Sequence, residues 1–354
     1  MSHILQQKGW PYLTWDSKEL SCLLGEVRHR QGRLAGKTDL LGNDLKNETL
    51  LNTLVTDIVK SAELEGEYPD ADMVRIAVAS RLKLNMKERM TVEPSIDRIA
   101  QVTTDILLNY RQPVTEQRIF NWKKLLNVAP DHHVGYRDIA WPESFSRTHD
   151  SQFYVQDTTL IPNEMKRFIQ WFNTTHPTDP VIKAGVTHLR FTFIHPFEDN
   201  NGRIARNLTD LLLTRADNSS QRLFSLSSQI CKQKDMYYHV LQLTRKGSLD
   251  ITDWLRWFLS CFGASLIEAE NQLTHILEKS KFWEKYRLIR LNERQVKMIN
   301  MLWDGMDGKI TSSMWANMNI CSPDTALRDI QDLINKKILY KKDSGGRSTA
   351  YALN

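Results

Sequence analysis

Twelve residues, His195-Pro-Phe-Glu-Asp-Asn-Asn-Gly-Arg-Ile-Ala-Arg206, gather groups whose types and spacing suit phosphate chemistry. Asn200, Asn201 and Gly202 tolerate positive φ. The N–H groups of a following helix's first turn lack intrahelical partners, so such a turn makes an anion nest at the positive end of a helix dipole. Arg203 and Arg206 are three apart, which puts both on one helix face, able to fork onto phosphate oxygens. Asp199 is a hard oxygen ligand beside that nest and suits a Mg²⁺ bridging phosphates. His195 titrates near neutral pH and is a candidate base for an attacking hydroxyl. Any one of these residues alone reads as part of a solvated, capped helix–helix loop. The whole set at this spacing reads as a phosphate site.

Two helices must position that loop. Before it, Ile182, Val186, Leu189 and Phe193 predict a buried helix over 181–194. After it, Ile204, Leu208, Leu211 and Leu212 recur at helical spacing. Pro196 removes a backbone donor and disfavours the helical conformation at His195, so the first helix ends there. Further upstream, Leu50, Leu51, Leu54, Val55, Ile58, Val59 and Ala62 predict an amphipathic helix over 48–65, which Gly66 stops. Its last turn carries Ser61, Glu63 and Glu65, an acidic end set against the dipole.

The signature resembles that of the Fic family, His-Pro-Phe-x-Asp/Glu-Gly-Asn-Gly-Arg-x-x-Arg. His195, Pro196, Phe197, Asp199, Asn201, Gly202, Arg203 and Arg206 coincide with it, and Asn200 stands where the pattern has its first glycine. The resemblance implies a mainly α fold: a helical core with a β-hairpin flap, an N-terminal helical domain and a C-terminal winged helix-turn-helix. It implies transfer of AMP from ATP, with Mg²⁺, to a Ser, Thr or Tyr hydroxyl of a protein target or of the chain itself. His195 would be the base and Asp199 the metal ligand. Asn200, Asn201 and Gly202 would cradle the phosphates, Arg203 would neutralise the leaving pyrophosphate, and Arg206 would meet the γ-phosphate. Ser61, Glu65 and Gly66 resemble the family's inhibitory motif, Ser/Thr-x-x-x-Glu-Gly/Asn, whose glutamate pairs with the second signature arginine, here Arg206. In some members that glutamate also positions water for removing AMP. Residues 131–158, with Gly135, Tyr136 and Arg137, resemble by position the flap that docks the target by strand addition. Tyr238 resembles an aromatic that sits beside the adenine, with ordinary packing the equal alternative. The segment with Trp10, Pro11 and Trp15 is similar to a domain of unassigned function found before such cores.

The chain-wide balance bounds the rest. At 354 residues, 41% hydrophobic and 25% charged, the composition is that of a globular protein with room for two or three domains. The expected division is an N-terminal helical domain over 1–95, a catalytic core over 96–265, a helical linker over 266–284 and a last module over 285–354. Cys22, Cys231, Cys261 and Cys321 are scattered, which argues against a zinc site or disulfide framework. With no signal segment and no long apolar run, the expectation is a cytoplasmic protein without membrane contact. Residues 284–354 hold 12 Lys or Arg against 8 Asp or Glu, most of the formal net charge of +5. Three helices and a basic hairpin there resemble a winged helix, with Asp324, Asp329 and Asp332 counting against a DNA groove. A homodimer or target-docking role is one alternative for that module. A nucleotide-sensing, DNA-binding regulator is the rival for the whole chain.

Overall fold

The computed structural model describes residues 4–84, 91–127, 135–138, 157–304, 311–342 and 350–354. Among these the chain is almost wholly helical and divides into two compact units, Met1–Thr274 and His275–Asn354. In the first unit, Asp16 caps α1 (Ser17–Asp39) by accepting from the N–H groups of Lys18 and Glu19. Next comes α2 (Asn43–Leu64), one turn longer at its start than the apolar spacing alone predicts. Its end is a Schellman turn: Gly66 sits at φ +81°, Gly66 N–H bonds Glu63 O, and Glu67 N–H bonds Ala62 O. Then follow α3 (Ala71–Arg81), α4 (Pro94–Leu108), α5 (Glu116–Leu126) and α6 (Ile161–Asn173).

The centre of this unit is α7 (Pro180–Ile194), in which almost every residue is buried, as a helix apolar on all sides must be. It packs most extensively against α8 (Asn201–Asp217). Phe191, Phe193, Phe197, Ile204, Leu208 and Leu211 are fully buried between them and their neighbours. Each such side chain contributes about 1.5–3 kcal/mol on burial, so the signature loop hangs from the firmest part of the fold. The unit is completed by α9 (Leu226–Lys232), α10 (Lys234–Lys246) and most of α11 (Thr252–Lys285). The sequence reads α11 as a short core helix followed by a polar linker. It is one helix of 34 residues, because a buried stripe (Leu255, Leu259, Phe262, Leu266, Leu273) runs on past the polar substitutions.

In the second unit, α12 (Glu293–Trp303) opens with the capping box Asn292–Gln295, and α14 (Pro323–Asn335) with Ser322 at N-cap and Pro323 after it. Between them lies α13 (Ser312–Met318). The strands β1 (Leu339–Lys342) and β2 (Ala350–Leu353) pair antiparallel, Leu339 opposite Leu353; of the turn expected over 341–347, Lys341 and Lys342 continue β1 and the rest lies outside the described residues. Asp329 is buried against Arg294 and Asn292, and Asp332 bonds Gln295 and Lys336. Two of the three acids expected to repel DNA are therefore spent within the unit.

One buried network ties α2 to the core. Arg222 donates to Asp57 on α2 at 3.0 Å and pairs with Asp210 on α8, while Ser225 Oγ donates to Asp57 at 2.7 Å. Burial pushes the Asp210 carboxyl up to about 7, against the pull of Arg222. Replacing Arg222 by Leu leaves two carboxylates buried without their cation, and should cost about 3–5 kcal/mol in urea unfolding. A loss below ~1 kcal/mol, the range of an exposed pair, would show that the network does not hold α2.

Candidate functional site

The loop between α7 and α8 is built from two left-handed residues. His195 closes α7 at φ 47°, ψ 61°, and Asn200 opens α8 at φ 60°, ψ 11°. Asparagine accepts that conformation at a lower cost than other side chains, so the turn forms without the family glycine. The Asn201 side chain bonds within the loop. Its Oδ1 accepts from Phe197 N–H at 3.0 Å and its Nδ2 donates to Phe197 O at 2.7 Å. The side chain staples the loop, so that the backbone N–H groups at the start of α8 are held in place.

Arg137 and Tyr136 also pack onto the loop. Arg137 is buried; its Nε donates to His195 O at 2.7 Å and its backbone N–H to Pro196 O at 2.9 Å. The Tyr136 ring lies 5.0 Å from Phe120 and 6.0 Å from Phe197, and its hydroxyl donates to Glu116 at 2.6 Å. These two residues, with Gly135 before them, anchor the root of the segment onto the signature. The rest of the expected flap, with His132, His133 and Trp141, lies outside the described residues.

His195 is buried, and burial first, then the Arg137 charge, lowers its imidazole to about 3. It is therefore neutral near pH 7, the form a base requires. Asp199 is exposed and carries Lys123, from α5, against its carboxylate; the same ammonium bonds Asn127 Oδ1 at 2.5 Å. Lys123 was not legible as a site residue, because nothing local marks a lysine whose side chain is nearly buried 76 positions upstream. An exposed carboxylate beside a phosphate nest fits Mg²⁺, which takes one or two carboxylates and fills its octahedron with phosphate and water. Among the described residues no cluster of three His, Cys, Asp or Glu offers an all-protein metal cage.

Both signature arginines are buried and face the end of α2. Arg206 donates through Nε to Ser61 Oγ at 3.0 Å, and through Nη2 to Ser61 O at 3.0 Å and Glu65 Oε1 at 2.8 Å. Burial pulls the Arg206 guanidinium down, and the Glu65 carboxylate with Tyr237 and Tyr238 together more than offset it. Asp57, Ser61 and Glu65 recur every four residues on one face of α2, so the helix that meets Arg222 also meets Arg206. A Cβ built on Gly202 would lie 2.8 Å from Glu65 Oε1, so the carboxylate stands over the nest itself. Beyond the turn at Gly66, Glu67 pairs with Arg203 at 2.9 Å. Glu67 went unread in the sequence; its only signal was its place just past a glycine that reverses the chain. Arg203 Nε is buried with no acceptor among the described residues, a donor that an anion in the nest would satisfy. Tyr238, half-buried, lies 5.1 Å ring to ring from Tyr237 and close enough to Arg206 to add to its field. Tyr237 itself donates to, or accepts from, buried His188 at 2.9 Å.

Comparison with known proteins agrees with this geometry. Residues 3–84 match a domain of unknown function (DUF4172), and residues 113–213 match the Fic/DOC family. The chain is 35% identical over 116 residues to the protein adenylyltransferase Fic of Drosophila ananassae, covering 31% of this chain and 22% of that protein. The protein of the same name from Drosophila melanogaster is 35% identical over 99 residues, 27% of this chain and 18% of that one. The chain thus spans about a fifth of the curated relatives it matches. A crystal structure of a Fic family protein from Desulfovibrio desulfuricans covers 97% of this chain and 98% of its own at a TM-score of 0.56 and 18% identity, a likeness of fold. The loop from His195 to Arg206 lies wholly inside the residues that match the Fic/DOC family, and these follow the segment that matches DUF4172.

Proposed function

We propose that this chain is a protein adenylyltransferase whose nucleotide site is closed at rest by its own α2. The observation that carries the reading is the 2.8 Å contact between Arg206 Nη2 and Glu65 Oε1 above Gly202. A buried guanidinium at the start of a helix is a place for a phosphate, and a carboxylate now takes it. The names of the Drosophila relatives, protein adenylyltransferases, support transfer of an adenylyl group to a protein, for which ATP is the proposed donor and a hydroxyl the proposed acceptor.

In the proposed reaction the hydroxyl oxygen attacks the α-phosphorus of ATP, and the bond to the bridging α–β oxygen breaks. A phosphodiester to AMP forms, pyrophosphate leaves, and the hydroxyl proton passes to neutral His195. The backbone of Asn200 to Gly202 holds the phosphates, and Arg203 and Arg206 meet the charge that moves onto the leaving group. Mg²⁺ on Asp199 would neutralise phosphate charge where Lys123 now sits. With Glu65 on Arg206, the γ-phosphate has no seat and ATP cannot align its α-phosphate for attack. Glu67 adds a weaker hold on Arg203, weaker because its side chain is half exposed. On this reading the same Glu65, beside the nest, would orient a water for hydrolytic removal of AMP from a modified protein.

His195→Ala should reduce self-labelling from α-labelled ATP to background; persistent labelling would remove the base role. Glu65→Gly frees a charge-assisted hydrogen bond and should raise the labelling rate about tenfold to a hundredfold. A rate equal to the parent's would refute the closed state. Because His195 is held neutral down to about 3, the rate of the Glu65→Gly protein should stay level between pH 8 and pH 6. A decline centred on the ordinary histidine value of 6.5 would mean that the imidazole is free to protonate.

A further inference from the structure

A second recess in the first unit lies away from the signature loop. The N-terminal segment crosses α6 and α7 and leaves a groove of about 710 Å³, lined by Trp10, Tyr12, Trp15, Trp171, His176 and Arg190 among others. That volume is in the range of small-ligand sites. Trp10, Tyr12, Trp15 and Trp171 give its wall four aromatic rings, yet its floor is a charge. Arg190, from α7, is 2% exposed. Its guanidinium carbon lies 4.6 Å from the Trp171 ring centre and 5.7 Å from that of Phe168.

Cation–π contacts of that kind cover the faces of a guanidinium and leave its five N–H groups, which lie in its plane, unused. Arg190 Nε is buried without an acceptor, and no ion pair involves Arg190 among the described residues. The acid nearest in effect, Glu164, is already committed: Oε2 accepts from Trp10 Nε1 at 2.9 Å and Oε1 faces Arg167 at 3.4 Å. Burial accordingly lowers the Arg190 guanidinium to about 10. His176 Nε2 is a second buried nitrogen without a partner, its ring 5.6 Å from Trp171. Buried cations are normally paired, and an unpaired one costs several kcal/mol. Two orphaned nitrogen groups thus border one aromatic groove whose lining contains two arginines and no acid.

We propose that this groove binds a small aromatic carboxylate, its carboxylate on the Arg190 fork and its flat body among Trp10, Trp15 and Trp171. A single guanidinium presents two parallel N–H groups, which match a carboxylate, whereas inorganic phosphate has no apolar body to lay against the tryptophan rings. Flat apolar rings alternating with one buried cation select a ligand with a charged end and an aromatic body. Arg190 is five residues before His195 on the same helix, so an occupant would fasten the N-terminal segment to the helix that carries the signature.

Calorimetric titration of the full chain with indole-3-acetate, phenylacetate and benzoate tests the site, against phenylacetamide and inorganic phosphate. At least one carboxylate should bind, about tenfold or more tighter than the neutral amide, and phosphate should give no heat. Arg190→Gln removes the unpaired cation, should melt no lower than the parent, and should lose at least about tenfold in affinity. Trp15→Ala, at the rim, should weaken binding while keeping the arginine, and decides the matter if Arg190→Gln does not fold. Absence of binding by all three carboxylates up to ~10 mM, or equal binding by both variants and the parent, overturns the proposal. Binding of phosphate in preference to the carboxylates overturns it as well.

Discussion

The buried guanidinium of Arg206 is the constraint on which the rest of the site depends. A cation taken out of water must be matched in charge and hydrogen bonds or it destabilises the fold by several kcal/mol. Here the match comes from the last turn of α2, through the Ser61 hydroxyl, the Ser61 carbonyl and the Glu65 carboxylate. None of these groups can reach Arg206 unless α2 lies along α8 in one register. The Asp57–Arg222–Asp210 network secures that register two turns earlier on the same face. Stability and the occupancy of the nest are therefore set by one helix.

Rigidity of the signature loop has a different source. Asn201 closes it on Phe197, Arg137 closes it on the His195 and Pro196 carbonyls, and Phe197 is locked among Phe120, Tyr136 and Phe191. Two non-glycine residues at positive φ persist because these contacts over-determine them. The N–H groups of the nest are thereby pointed before any anion arrives, and preorganisation of that kind is where a phosphate-transfer site gains most. His195 shares the consequence: the burial that fixes its ring also keeps it uncharged. On the proposed reading a carboxylate and a γ-phosphate compete for one guanidinium, so the site is either closed or charged with nucleotide and never both.

Several features were open to reading in the sequence because they are local. The buried α7 follows from its continuous apolar run, the end of α7 from Pro196, the end of α2 from Gly66, and the caps at Asp16, Asn292 and Ser322 from residue type and position. The signature's acidic and basic residues, at fixed spacing between two helices, marked the place of the nest. Those signals lie within a few residues of one another, where chain geometry leaves little freedom.

Tertiary structure decided what each polar group is for. Asn201, Tyr136 and Arg137 turned out to hold the loop, because their partners come from elsewhere in the fold and no spacing rule foretells them. Lys123 on Asp199 and Glu67 on Arg203 join residues 76 and 136 positions apart. The unpaired Arg190 looks in sequence like any helical arginine, and only burial beneath the N-terminal aromatics gives it significance. Sequence by itself determined which groups were available and where the helices begin and end. Only packing determined which of those groups lost water, and burial is what turns a charge into a contact that must be answered.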